Sequence, residues 1–254
     1  MGKLFIKLVL FFILQNTVSC YVEFVDLTWE FNNETIYWPG QRPFEYTHEV
    51  GSTERGYWYS VKEFCAAEHG GTHFDAPYHF NKNGWKVSEV PEYRLFSHGA
   101  AIELNKTELA VEDLENWERE HIKFKKGTIL IINTRMGQYW NTNRTKYLGL
   151  DSENNMNFPG LSPEAATWIA NSGKFYGVGI DTISIDPGRS TKFEAHRILA
   201  AHQIYILENV ALTGDSVAPY GFQVIVAPMK LGGGSGAPVR IFVVMDAKLR
   251  NLEN

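Results

Sequence analysis

Cysteine is nearly absent from this chain of 254 residues; only Cys20 and Cys65 occur. That excludes the disulfide framework that staples small secreted domains, so the fold must rest on an apolar core. The length is enough to bury such a core in one domain. An excess of positive charge is lacking as well. The formal net charge is -5, which removes the electrostatic footing for nucleic acid or an anionic membrane surface as partner. No run of like charges, repeat period or low-complexity stretch is found. Past the N-terminal segment no apolar run approaches the length needed to cross a bilayer. An interdomain linker is also missing, because Gly232-Gly233-Gly234 is too short to be one and sits between strand-like segments. What remains is 44% hydrophobic and 21% charged, an ordinary globular balance rather than a disordered one.

The N-terminus has the pattern of a secretory signal. Lys3 and Lys7 supply positive charge, Leu8 to Leu14 is unbroken apolar, and Val18-Ser19-Cys20 offers small residues for cleavage. Residues 1–20 are therefore expected to be removed, leaving a single domain over 21–254 and a secreted, extracellular protein. An uncleaved membrane anchor is the alternative, disfavoured because the run is too short to span. Three glycosylation sequons accompany it, at Asn33-Glu34-Thr35, Asn105-Lys106-Thr107 and Asn143-Arg144-Thr145. Cleavage after Cys20 leaves Cys65 alone, and it is expected to be a free, structural thiol.

Local patterns give an outline of the fold. Tyr21 to Leu27 predicts a strand, and a loop rich in Asn and Pro follows through Pro43. Tyr57 to Phe64 is aromatic and β-branched, another strand. Thr107 is expected to cap a helix through Trp117 to about His121, with Leu109, Leu114 and Trp117 roughly on one face. Thr128 to Ile132 reads as a buried strand. Ser162-Pro163-Glu164 starts a helix with a capping hydroxyl, a first-turn proline and a carboxylate at the positive dipole end, and Gly173 stops it. Phe175 to Ile180, Ile204 to Leu207, Phe222 to Ala227 and Val239 to Met245 predict strands, and Lys192 to His202 a helix. Strands and helices mix without strict alternation, so the expectation is one α/β domain with a mixed β-sheet.

The chemistry is concentrated in His69-Gly70-Gly71-Thr72-His73-Phe74-Asp75-Ala76-Pro77-Tyr78-His79. His69, His73, Asp75 and His79 all carry odd numbers, and in an extended segment side chains of equal parity leave one face. His73 and Asp75 then point at one centre. Gly70-Gly71 permits a bend that returns His69 to it, and Pro77 ends regular pairing and sets His79 slightly apart. Imidazoles beside a carboxylate suit Zn²⁺ or Mn²⁺. The competing reading is a histidine-rich surface loop without metal. The helical zinc-protease pattern does not apply, because no Glu follows His69. Downstream, His196 lies in a predicted helix and Glu208 at a strand end, but spacing does not distinguish them from His202 or Glu194.

At these residues the chain resembles the cyclase-like metal hydrolase family, which includes bacterial-type kynurenine formamidase and isatin hydrolase. His69, Gly71, Thr72, His73, Asp75, Pro77 and His79 match every fixed position of the motif H-x-G-T-H-x-D-x-P-x-H. Phe158-Pro159-Gly160-Leu161-Ser162, Gly179-Ile180-Asp181-Thr182 with Ser184 and Asp186, His196 with Glu208, and Ala227-Pro228-Met229-Lys230 with Gly233 and Pro238-Val239-Arg240 support it. The resemblance runs from about Val25 to Val244. It implies a swivelling β/β/α domain that forms a homodimer. It also implies metal ligation by His69, His73 and Asp75, with Asp75 bridging in the formamidase branch to a second metal held by His196 and Glu208. His79 would transfer protons, and Glu208 could instead serve as the base. The isatin-hydrolase branch implies one metal, usually manganese, so one or two Zn or Mn ions per chain are expected.

The implied activity is hydrolysis of a small aryl amide at its carbon–nitrogen bond, first N-formyl-L-kynurenine to kynurenine and formate. A cyclic amide such as isatin is the enzymatic alternative, and a secreted metal-dependent binding protein without turnover is the alternative of another class. Trp58, Phe74, Tyr78 and Phe80 are candidates to stack on an aryl ring, against plain core packing for each.

Overall fold

The structure, a computed structural model, describes residues 22–52, 56–214 and 217–246. The expected signal segment at 1–20, with Cys20, lies outside the described residues, as does Tyr21.

The buried run beginning at Thr128 forms strand β7 (Thr128–Asn133), the middle of the molecule. Its alternation divides the core in two. Leu130 and Ile132 face one cluster, with Leu114, Leu161, Ile169 and Leu199, and Ile129 and Ile131 face a second, with Phe74, Tyr205, Val224 and Ile241. The first cluster lies under three helices, α1 (Val111–Glu120), α3 (Pro163–Ser172) and α4 (Glu194–Ala201). The second is enclosed by the sheet itself.

That enclosure follows from the pairing. The other strands of this sheet are β1 (Val22–Asp26), β4 (His73–Asp75), β5 (Phe96–Glu103), β9 (Phe175–Ile180), β10 (Tyr205–Glu208), β11 (Phe222–Pro228) and β12 (Gly236–Asp246). Their order is β1-β12-β11-β5-β7-β9-β10-β4, and β4 pairs back onto β12, so the sheet curls into a barrel-like closure. β5, β7, β9 and β10 run parallel to their neighbours in that series, whereas β10–β4, β4–β12, β12–β11 and β11–β5 are antiparallel. The sheet is thus mixed, as expected. Outside it lie the hairpin of β2 (Glu45–Ser52) and β3 (Tyr59–Cys65), the short pair β6 (Glu108–Leu109) and β8 (Gly160–Leu161), and a one-turn helix α2 (Arg144–Tyr147).

The capped helix is α3: Ser162 Oγ accepts from Ala165 N at 3.1 Å, and Gly173 takes the left-handed conformation at φ 63. Thr107 does not cap α1. Its carbonyl accepts from Gly160 N, and Glu108–Leu109 are drawn into the β6–β8 bridge. The helix starts after Ala110, whose N–H is satisfied by Asp113 Oδ2 at 2.7 Å. α4 is two residues shorter at its start than the expected Lys192–His202. β12 starts three residues before Val239, because Gly236–Pro238 pair with β4. β2 and β5 have no counterpart among the expected elements. β2 (EYTHEVGS) is polar and exposed over Glu45–Glu49, and β5 (FSHGAAIE) is half small residues with one β-branched side chain, so neither carries a strand pattern.

Candidate metal centre

β4 is only three residues long, yet it lies between β10 and β12, and this fixes the site. His73 and Asp75 leave its outer face, whereas Phe74 turns into the barrel core, 4.8 Å between ring centroids from Tyr205. The antiparallel register sets Glu208 directly opposite His73, where side chains on a shared face meet. Gly71, at φ 59, makes the bend that brings His69 back, and His69 Nδ1 stands 2.6 Å from Asp75 Oδ1. Pro77 opens a short 3₁₀ turn through His79. The turn stacks the His79 ring on His69 with centroids 3.9 Å apart.

His196 arrives from the first turn of α4. Asp186 anchors that turn, accepting from Ala195 N at 2.9 Å, His196 N at 3.1 Å and His196 Nδ1 at 2.6 Å. The remaining nitrogen, Nε2, lies 3.0 Å from Glu208 Oε1 and 3.3 Å from Asp75 Oδ2. His73 Nε2 lies 3.2 Å from Asp75 Oδ1 and 3.4 Å from Glu208 Oε2. All of the sequence-nominated residues therefore meet: His69, His73, Asp75, His79, His196 and Glu208. His202 and Glu194, which spacing could not separate from them, stand outside this set. His202 Nδ1 bonds the Ile198 carbonyl on the exposed side of α4.

The donor set fits a divalent cation. Asp75 Oδ2 is buried without a hydrogen-bond partner, an unusual state for a carboxylate oxygen. Among the described residues, two triads have ligand atoms within 4.8 Å of one another: His69, His73 and Asp75, and Asp75, His79 and His196. Asp75 is common to both.

The electrostatics agree. Burial alone would raise the Asp75 carboxyl, but His79, His69 and His73 hold it well below the usual range. Burial and Asp75 likewise work against ionisation of Glu208, and His196 and His73 outweigh them. Burial pulls His73 down, yet Asp75 and Glu208 lift it to about 10. His196 is raised in the same way, burial being overcome by Glu208, Asp186 and Asp75. Two buried carboxylates thus demand positive charge, and a dication can supply it in place of imidazole protons. His79 differs: burial dominates and pushes it down to about 4, with Asp75 opposing. Its ring is neutral near pH 7 and can accept a proton.

His69, His73, His79, His196 and Glu208 form the floor of a cavity with walls of Trp38, Phe80, Ile183 and Phe193. Phe193 meets Trp38 edge-on at 5.8 Å and Phe80 at 5.6 Å. Of the aromatic residues singled out in the sequence, only Phe80 lines it. Trp58 is 70% exposed on the hairpin, Phe74 is core, and Tyr78 lies under Lys86 Nζ at 5.5 Å. Trp38 and Phe193 were not expected here. Phe193 stands three residues before His196, a signal that was available.

Imidazoles and carboxylates converging on a shared aspartate beneath an apolar slot define a class, hydrolases that work with a divalent cation. Within that class the chain belongs to the cyclase family, described as putative cyclase, whose profile matches residues 25–187. A kynurenine formamidase of Bacillus cereus is 30% identical over 222 residues, covering 87% of this chain and 97% of that protein. Among solved structures, isatin hydrolase A from Labrenzia aggregata bound to benzyl benzoate superposes with a TM-score of 0.80 at 25% identity, covering 89% of this chain and 94% of the other. Isatin hydrolase A from Ralstonia solanacearum shares the fold, with a TM-score of 0.79 at 23% identity over 88% and 92% of the two chains.

Proposed function

We propose that this chain is a metal-dependent amide hydrolase whose substrate is N-formyl-L-kynurenine, cleaved to kynurenine and formate. The observation that carries this reading is Asp75, shared by two ligand triads under an aromatic-walled cavity. Identity to a kynurenine formamidase over nearly that protein's whole length supports the substrate.

In this reading His69, His73 and Asp75 would hold one cation, and Asp75 and His196 would hold a second with Glu208, rather than the His79 of the second triad, as third ligand. Nitrogen and carboxylate donors suit zinc or manganese. When bound, a divalent cation acidifies water and polarises a carbonyl oxygen. The protein's own groups do the rest. Trp38, Phe80 and Phe193 take the aryl ring by stacking and edge contacts, which brings its amide over the floor. The neutral His79 ring takes the proton of the attacking water and returns it to the departing nitrogen, a poor leaving group without it. Glu208 serves better as a ligand than as the base. Its Oε1 already accepts from Ile185 N at 2.7 Å, and both oxygens face imidazoles.

The similarity to isatin hydrolases favours a second substrate, a cyclic aryl amide, which the same slot would hold. A hydrolysis screen of the metal-loaded protein against formylated anilines and lactams separates the two. Formate release from N-formyl-L-kynurenine at higher kcat/KM than ring opening of isatin is expected, and the reverse ranking selects the lactam.

We also infer a secreted, glycosylated homodimer. Asn33, Asn105 and Asn143 are all exposed, and the β2–β3 hairpin carries Tyr46, Trp58, Val61 and Phe64 at 54, 70, 53 and 48% exposure, an apolar surface that a second copy would cover. Cys65, free and half-buried at the end of β3, is expected to form no disulfide between the two copies. N-terminal sequencing and light scattering of the exported protein should find a chain starting after Cys20 and a dimer that survives reductant. A dimer lost on reduction would assign it to Cys65 instead.

A further inference from the structure

Each histidine of the proposed ligand set has one ring nitrogen engaged away from the cluster, and it is not the same nitrogen in all three. His73 Nδ1 lies 2.9 Å from the Gly71 carbonyl. His196 Nδ1 lies 2.6 Å from Asp186 Oδ2, an oxygen that already accepts from a backbone N–H. Each acceptor calls for the ring hydrogen on Nδ1, which leaves Nε2 of both rings to face Asp75 and Glu208.

His69 is reversed. Its Nδ1 faces Asp75 Oδ1 at 2.6 Å, and its Nε2 lies 2.9 Å from Ser235 Oγ. A hydroxyl has one hydrogen, and that of Ser235 goes to Glu68 Oε2 at 2.7 Å. The same oxygen accepts from Ser235 N at 3.0 Å and Gly236 N at 3.2 Å, so the carboxylate is held in place. Ser235 Oγ is therefore an acceptor toward His69, and the ring hydrogen sits on Nε2. The ring has little room to turn. A Cβ on Gly236 would stand 2.4 Å from its Cε1, and His79 stacks on it at 3.9 Å. A flip would also present carbon to both Asp75 and Ser235.

We propose that Glu68 and Ser235 are positioning residues that make His69 a ligand through Nδ1, whereas His73 and His196 bind through Nε2; this rests on the metal-site reading above. Nδ1 is the nitrogen nearer the backbone, which suits a residue carried close to the centre by the Gly70-Gly71 bend. Partners of this kind orient a ligating imidazole and select its tautomer, and their loss weakens metal binding by about 10–100-fold.

The test uses the full chain labelled with ¹⁵N-histidine and loaded with zinc, read by long-range ¹H–¹⁵N correlation. The expected pattern is zinc on Nδ1 and hydrogen on Nε2 for His69, and the opposite for His73 and His196. Zinc bound with His69 metallated at Nε2, or not metallated, overturns this inference and leaves the metal site standing. Failure to take up zinc at all overturns both. In a competition titration with a chromophoric chelator, Ser235→Ala should bind zinc about tenfold or more weakly, and Ser235→Thr, which keeps the hydroxyl, should bind like the parent. Unchanged affinity in a folded Ser235→Ala variant would remove the positioning role.

Discussion

Replacing Asp75 with alanine is expected to empty the centre of metal and abolish turnover, and His73→Ala should do nearly the same. Asp75 is the residue both triads share, so its loss removes a ligand from each proposed cation and leaves His73 and His196 with Glu208 as their one shared carboxylate. The Lewis-acid contribution of a bound cation is several kcal/mol. A loss of about 4 kcal/mol corresponds to about a thousandfold in kcat/KM, so a fall of at least about that size is expected. Glu208→Ala should be milder in metal content, keeping one of two equivalents, because His69, His73 and Asp75 remain. Elemental analysis of the purified variants, with circular dichroism to confirm folding, checks the series. Full occupancy in Asp75→Ala and His73→Ala would remove the ligand assignment.

His79→Ala should fail differently. General acid–base catalysis contributes about 10²- to 10⁴-fold, so kcat should fall by that amount while bound metal stays at the parental level. His79 belongs to the second triad by distance, which makes the metal measurement decisive. If metal and kcat fall together, His79 is a ligand and the proton carrier must be sought elsewhere. Burial pushes the His79 ring down to about 4, so at pH 7 it is neutral with a lone pair open to a proton or a cation, and the metal measurement separates the two roles.

The first half of this centre was legible in the sequence because its information is local. Four odd-numbered polar residues around a glycine pair and a proline state an extended segment, a bend and a turn, and the short β4 with its flanking bends is that arrangement. The second half was not legible from spacing. Glu208 reaches the site through its register opposite His73, and His196 through packing that sets its Nε2 3.3 Å from Asp75 Oδ2; both meetings join segments more than a hundred residues apart, which no window of sequence contains. The resemblance to a known family supplied them instead. The same division holds for the fold. The caps of α3 and the apolar run of β7 were readable, whereas β5, half of it small residues, is a strand only because β7 and β11 lie on either side of it. Thr107 looked like a cap because a hydroxyl preceded an amphipathic stretch, but pairing with β8 claimed Glu108–Leu109 first. The aromatic walls were the least visible part. Trp38 and Phe193 are distant in sequence and meet only in the folded chain.

One titration tests most directly whether this protein cleaves an aryl formamide with the help of a bound divalent cation. The purified chain is stripped with a chelator, reloaded stepwise with zinc or manganese, and assayed for formate release from N-formyl-L-kynurenine at each step. No turnover is expected in the stripped protein, and activity should rise with bound metal until the centre is full. Turnover that persists without metal, or a fully loaded protein that leaves N-formyl-L-kynurenine intact, would contradict it.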